Sequence, residues 1–158
     1  MKICFVCEGN IIRSPLAENI FRNLVQKRDL TSRYYLESSG TSAYHVGDPP
    51  DLRMRKVARK RGFEYSGQAS QFLQEDLDRF DLIIAMDKAN QRYLIDLART
   101  QEQVDKIHPM REYDHLTLTD LDVPDPYYGG PEGFERTFEI VERSCEGLFE
   151  ELEAKRTA

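Results

Sequence analysis

The sequence predicts an α/β fold: a single domain in which a parallel sheet is flanked by helices on both faces. Three observations carry this. Short apolar runs alternate with stretches of helical periodicity, and that alternation builds right-handed βαβ units. The 158 residues are a typical size for one compact domain with a real core. No internal repeat or low-complexity linker divides them.

Ile3 to Val6 is a short apolar strand. A glycine-containing turn follows, and Ser14-Pro15 predicts a helix start, with Ser as N-cap and Pro at the first helical position. Leu16, Ile20 and Leu24 then give that helix one apolar face. Tyr34 to Ser38 reads as a second strand, ended by Gly40. Asp51 caps a helix that runs to about Arg61, with Gly62 as its stop. Leu77 to Arg79 leads into Phe80–Met86, the strongest buried-strand signal in the chain. Asp87 begins the next helix, through Tyr93, Leu94 and Leu97. Lys106 to Met110 is a weak fourth strand. A long loop, His115 to Gly130, carries Pro124, Pro126, Gly129 and Gly130. The last helix runs from about Gly133 to Ala154, with Phe134, Phe138, Val141, Cys145, Leu148 and Leu152 on its buried face.

Composition narrows the function. The net charge of −6 disfavours general nucleic-acid binding, which needs Lys and Arg against phosphates. No apolar run approaches the ~20 residues of a membrane span. The N-terminal run does not read as a signal peptide, so a cytoplasmic location is expected. Three cysteines and three scattered histidines predict neither a disulfide framework nor a structural zinc site.

In such sheets ligands bind beyond the carboxyl ends of the strands. That is where Cys7-Glu8-Gly9-Asn10-Ile11-Ile12-Arg13-Ser14-Pro15 lies. Backbone N–H groups of this turn and of the helix start form an anion cradle, a phosphate-binding loop. Gly9 is expected to allow the tight path, and Asn10 to take a left-handed conformation. Arg13 offers a planar fork for two phosphate oxygens. Cys7 sits at the base, where the positive surroundings favour the thiolate. Ser14 donates to that thiolate, which is the nucleophile on phosphorus. A phosphocysteine route also needs a general acid. Asp125, between Pro124 and Pro126 in the long loop, is the candidate. Tyr127 and Tyr128 would wall an aromatic substrate.

These segments resemble the low-molecular-weight protein tyrosine phosphatase family. The resemblance also rests on Ser39-Gly40-Thr41-Ser42 with Val46-Gly47, on Phe80–Asp87, and on Asp125-Pro126-Tyr127-Tyr128. It implies a four-stranded parallel sheet, Cys7 as nucleophile, Arg13 as phosphate clamp, Asn10 and Ser14 as turn organisers, and Asp125 as acid, then base. Tyr44 matches an aromatic of the family's substrate crevice. The implied partner is a phosphotyrosine-containing protein, a tyrosine kinase among the candidates. No metal or cofactor is implied.

Three departures qualify the match. Ile12 stands where the family usually has a second cysteine, one that forms a protective disulfide with the nucleophile in relatives. Cys4 is no substitute: three strand residues at ~3.3 Å each put its Cα about 10 Å away, beyond the ~7 Å bridging limit. Cys145 is expected in the core. Glu8 is expected to point outward, because a buried unpaired carboxylate is costly. A family histidine that braces the turn asparagine is replaced near Gly67-Gln68, so Asn10 is expected to be held differently or less firmly. The basic helix with Arg53, Arg55, Lys56, Arg59, Lys60 and Arg61 reads as a solvated face, with a docking patch for acidic partners as the alternative.

Three rival functions exist. Arsenate reduction on this scaffold needs relay cysteines, and none falls between Phe72 and Asn90. Protein arginine phosphatases place Thr where this turn has Ile11, whose apolar bulk suits an aryl phosphate better. A phosphate-binding module without turnover would not need Cys7, Arg13 and Asp125 together.

Overall fold

A computed structural model of the protein describes residues 1–117 and 119–158. Among these, four strands form one all-parallel sheet in the order β2-β1-β3-β4. The strands are β1 (Lys2–Cys7), β2 (Tyr35–Gly40), β3 (Leu82–Ala85) and β4 (Ile107–Pro109). The helices are α1 (Arg13–Lys27), α2 (Leu52–Lys60), the short α3 (Asp76–Arg79), α4 (Lys88–Leu97), α5 (Gln101–Asp105) and α6 (Pro131–Thr157). None is long and apolar enough to cross a membrane among the described residues.

The period-2 geometry of β1 divides the core. Ile3, Phe5 and Cys7 face the layer containing α1, α2 and α6, where Leu16, Phe21, Met54, Phe138 and Leu148 are buried. Cys4 and Val6 face the other layer, with Phe72, Leu77, Phe80 and Leu94. β3 alternates likewise, Leu82 and Ile84 to the first face and Ile83 and Ala85 to the second.

Several boundaries differ from the sequence reading. α1 begins at Arg13, so Ser14 lies inside the helix and Pro15 is its third residue; no side chain caps this terminus among the described residues. The Ser14 hydroxyl is committed to Cys7 instead. β3 is shorter than Phe80–Met86, because Asp76–Arg79 forms a helical turn that closes at Phe80. β2 lies one to two residues later than Tyr34–Ser38. α5 was not apparent in the sequence; Thr100 caps it through Gln103 N. α6 starts at Pro131, where the missing N–H costs nothing.

The order 2-1-3-4 reverses direction between β1 and β3, which opens a crevice at their carboxyl ends. The turn after β1 sits there. The long loop after β4 reaches the same end: Val123 N donates to Met86 O at 2.7 Å, just past β3. Leu118 of that loop lies outside the described residues.

Candidate active site

The turn after β1 is held by its own polar side chains. Asn10 takes φ 56°, the left-handed region. Its N–H points at the Cys7 sulfur, 3.3 Å away, and the Ser14 hydroxyl lies 3.0 Å from the same sulfur. Asn10 Nδ2 donates to Ser14 Oγ at 2.7 Å. That bond fills a lone pair of Ser14 and leaves its single proton for the sulfur or for Ser39 O, 3.4 Å away.

Of the two expectations from Gly67-Gln68, Asn10 is held differently rather than less firmly. Its Nδ2 also donates to Ser38 Oγ at 3.0 Å, and its Oδ1 accepts from Ser70 N at 2.9 Å. The Ser38 hydroxyl in turn donates to Glu18 Oε1 at 2.6 Å. A backbone N–H and a β2 hydroxyl therefore brace this asparagine. Gly9 is not among the left-handed residues. It supplies space: a Cβ there would lie 3.1 Å from the His45 ring. Gly40, read as a strand terminator, is needed for close approach, because a Cβ on it would meet Glu8 O at 2.6 Å.

Arg13 is only 3% exposed. Its Nη1 donates to Asp87 Oδ2 at 2.7 Å and to Val123 O at 3.0 Å, and its Nη2 lies 3.6 Å from Asp125 Oδ2. Burial works against its charge, but the Cys7 sulfur, Asp87 and Asp125 outweigh that, and its pKa is raised. Asp87, expected to begin α4, has a second role at the site. Oδ1 does cap α4 through Asn90 N at 2.8 Å, while Oδ2 anchors Arg13.

Asp125 is 44% exposed, and its Oδ1 accepts from Tyr127 N at 3.1 Å. This local turn fixes the carboxyl at the pocket mouth. The pocket, about 340 Å³, has Cys7 and Arg13 in its lining together with Glu8, Gly9, Ile11 and Ile12. Tyr44, Asp125, Tyr127 and Tyr128 line it as well. Asn10 and Ser14 stand behind this lining. Glu8 is exposed and is one of the residues lining the pocket. Tyr128 is 96% exposed. Two lining residues, Ser42 and His45, were not anticipated. His45 packs edge-on against Tyr44 at 4.8 Å and lies 6.5 Å from the Tyr127 ring centroid. A lone histidine carries no local signal, and only folding brings it over Gly9. The described residues hold no cluster of three metal-ligating side chains.

The description "Low molecular weight phosphotyrosine protein phosphatase" matches residues 2–158. The chain belongs to that family.

Among low molecular weight phosphatases, the Streptomyces coelicolor protein of that name is 42% identical over 93% of this chain and 90% of its own. The crystal structure of a protein tyrosine phosphatase from Entamoeba histolytica superposes with a TM-score of 0.92. It is 40% identical and covered to 99%, as is this chain. DARP, a Drosophila arginine phosphatase, superposes with a TM-score of 0.88 at 32% identity, over 96% of this chain and 98% of its own.

This member carries free thiols at Cys4, Cys7 and Cys145. Cys4 lies on the opposite face of β1 from Cys7, 3.3 Å from Ser39 Oγ. Cys145 is 0% exposed, against Ala17 O. Burial pushes both thiols up. Neither has access to the pocket that Cys7 lines.

Proposed function

We propose that this low molecular weight phosphatase hydrolyses phosphotyrosine in proteins through a phosphocysteine intermediate on Cys7. One observation carries the reading: the Cys7 sulfur, held by Asn10 N and Ser14 Oγ, shares a tyrosine-walled pocket with Arg13 and Asp125.

The Cys7 thiolate attacks phosphorus. An S–P bond forms, the P–O bond to the phenol breaks, and the Asp125 proton passes to the departing oxygen. Arg13 and the turn N–H groups hold the equatorial oxygens, where charge is carried in the transition state. Ser14 stabilises sulfur as a leaving group in the second step. The Asp125 carboxylate then takes a proton from water, which attacks phosphorus. The S–P bond breaks, phosphate leaves, and thiolate and acid are restored. A route that needs a reduced thiolate, in a chain with three free cysteines, fits a cytoplasmic location. The partner is a tyrosine-phosphorylated protein, a tyrosine kinase being one candidate of that kind.

A second reading, phosphoarginine hydrolysis, is favoured by the similarity to DARP. Ile11 weighs against it, because it sets an apolar side chain in the pocket wall, better suited to a phenyl ring than to a guanidinium. Activity on phosphotyrosine, phosphoarginine and phosphoserine peptides tests both, with the Cys7→Ser variant as control. Phosphotyrosine is expected to be the preferred substrate. The folded variant should bind phosphate without turnover, since a hydroxyl is not ionised at neutral pH. Preference for phosphoarginine would establish the second reading. Appreciable hydrolysis by Cys7→Ser would sink the nucleophile assignment.

A further inference from the structure

Beside the catalytic pocket lies an apolar groove of about 250 Å³ that the reaction above does not use. It runs between α2 and the start of α6. Val57 and Phe134, both buried, form its floor, and Gly129 and Gly130 close one end. Arg53, Lys56 and Lys60 stand along it at i, i+3 and i+7, one face of α2. The Arg53 guanidinium packs against the groove wall, 4.6 Å from the Phe134 ring centroid and 5.1 Å from that of Tyr127.

The groove is continuous with the catalytic pocket. Arg53 Nη1 donates to Tyr127 O at 2.9 Å, and Tyr127 and Tyr128 line the pocket while Gly129 and Gly130 line the groove. At ~3.3 Å per extended residue, a peptide whose phosphotyrosine enters the pocket carries a residue about two to four positions away over Gly129-Gly130.

The charges point to the occupant. Arg53 is neutralised by Asp51 at 2.8 Å, Arg59 by Glu64 at 3.1 Å, and Glu135, on the α6 side of the groove, by Arg61 at 2.9 Å. Lys56 and Lys60 have no carboxylate within ion-pair reach among the described residues. The groove rim is therefore locally positive on a chain of net charge −6.

We propose that this groove is a second substrate subsite, taking one large apolar side chain flanked by Asp or Glu from the segment that bears the phosphotyrosine. This rests on the phosphatase reading and adds to it the class of sequence preferred. Val57 and Phe134 receive the apolar side chain; Lys56 and Lys60 attract its acidic neighbours.

The test uses phosphotyrosine peptides of equal length. They carry Glu-Leu-Glu, Glu-Ala-Glu, Ser-Leu-Ser or Ser-Ser-Ser about two to four residues to either side. kcat/KM is measured for the native chain and for the double variants Lys56→Glu/Lys60→Glu and Lys56→Gln/Lys60→Gln, with p-nitrophenyl phosphate as a substrate that cannot reach the groove. Glu-Leu-Glu should exceed Ser-Ser-Ser by roughly 5- to 20-fold, through KM, on one side of the phosphotyrosine. Both single-feature peptides should fall between. The Gln variant should reduce the preference and the Glu variant abolish it, with p-nitrophenyl phosphate turnover unchanged in both. A flat response in the native chain would overturn the proposal, as would Glu-Ala-Glu matching Glu-Leu-Glu, or a preference that survives in the Glu variant. Absence of p-nitrophenyl phosphate turnover in the native chain would refute the phosphatase reading instead. Fluorescence anisotropy of the same peptides on the Cys7→Ser protein would still report on the groove.

Discussion

At the scale of single residues, chemistry is concentrated in side chains with two partners. Ser14 accepts from Asn10 and faces sulfur; Asp87 caps α4 and anchors Arg13. Asp125 is different. It is half exposed, tied to the backbone by one short turn, and reaches Arg13 only at 3.6 Å. In the proposed mechanism this carboxyl exchanges a proton with the leaving group and then with water. Asp125→Asn is therefore expected to lose about 10²–10⁴-fold in kcat/KM on aryl phosphates with poor leaving groups. The loss should shrink as the phenol becomes more acidic, because such phenols depart without protonation. A leaving-group series on the purified variant checks this; an equal loss across the series would make Asp125 structural.

At the scale of elements, several contacts depend on the absence of a side chain. Gly40 lets β2 lie against the turn after β1, and Gly147 does the same for α6. A Cβ on Gly147 would stand 2.0 Å from Tyr113 O, in the 3₁₀ segment Met110–Tyr113. In an isolated helix, Gly to Ala gains about 1 kcal/mol. Here the obstacle is backbone, which cannot rotate away. Gly147→Ala is expected to destabilise the protein by about 1–3 kcal/mol, the usual cost of overpacking. Thermal unfolding measures it, and an increase in Tm would show that the helix and the 3₁₀ segment can part without cost.

At the scale of the whole molecule, one ionic cluster fastens the loop side of the sheet to α6. Asp114 has a fully buried side chain that accepts from Arg143 Nε and Nη2, both at 3.1 Å, from Arg111 Nε at 3.3 Å and from Leu116 N at 3.1 Å. Burial alone would raise its pKa; Arg143, the Leu116 N–H and Arg111 overcome this and hold it below the ordinary 3.8. A carboxyl depressed in the folded state contributes stability that is present above its unfolded pKa and lost as pH falls through the folded one. Asp114→Asn should thus cost about 1–3 kcal/mol near neutrality. The gap between variant and native chain should be constant above about pH 5 and narrow as pH falls below about 4. Urea unfolding across that range checks the sign; a gap that widened toward acid would contradict it.

The sequence alone determined the parts of this protein that are written locally. β1, the turn with Cys7 and Arg13, the capped α2 and α4, and the α6 face from Phe134 to Leu148 depend on period, caps and short-range spacing, so they are legible in order along the chain. The left-handed Asn10 and the Asp125 turn belong to the same class. What tertiary structure decided are contacts between distant residues. Ser38 and Ser70 brace Asn10, Asp87 and Val123 hold Arg13, His45 covers Gly9, and Gly147 makes room for Tyr113. The start of α1 at Arg13 belongs here too, since Ser14 gave up the cap for a sulfur seven residues back. Each of these partners carries an ordinary local signal: a serine in a strand, a cap, a lone histidine, a glycine in a helix. Their roles come from the sheet order, which brings the ends of β1, β2 and β3 to one crevice, and no spacing along the chain encodes that meeting.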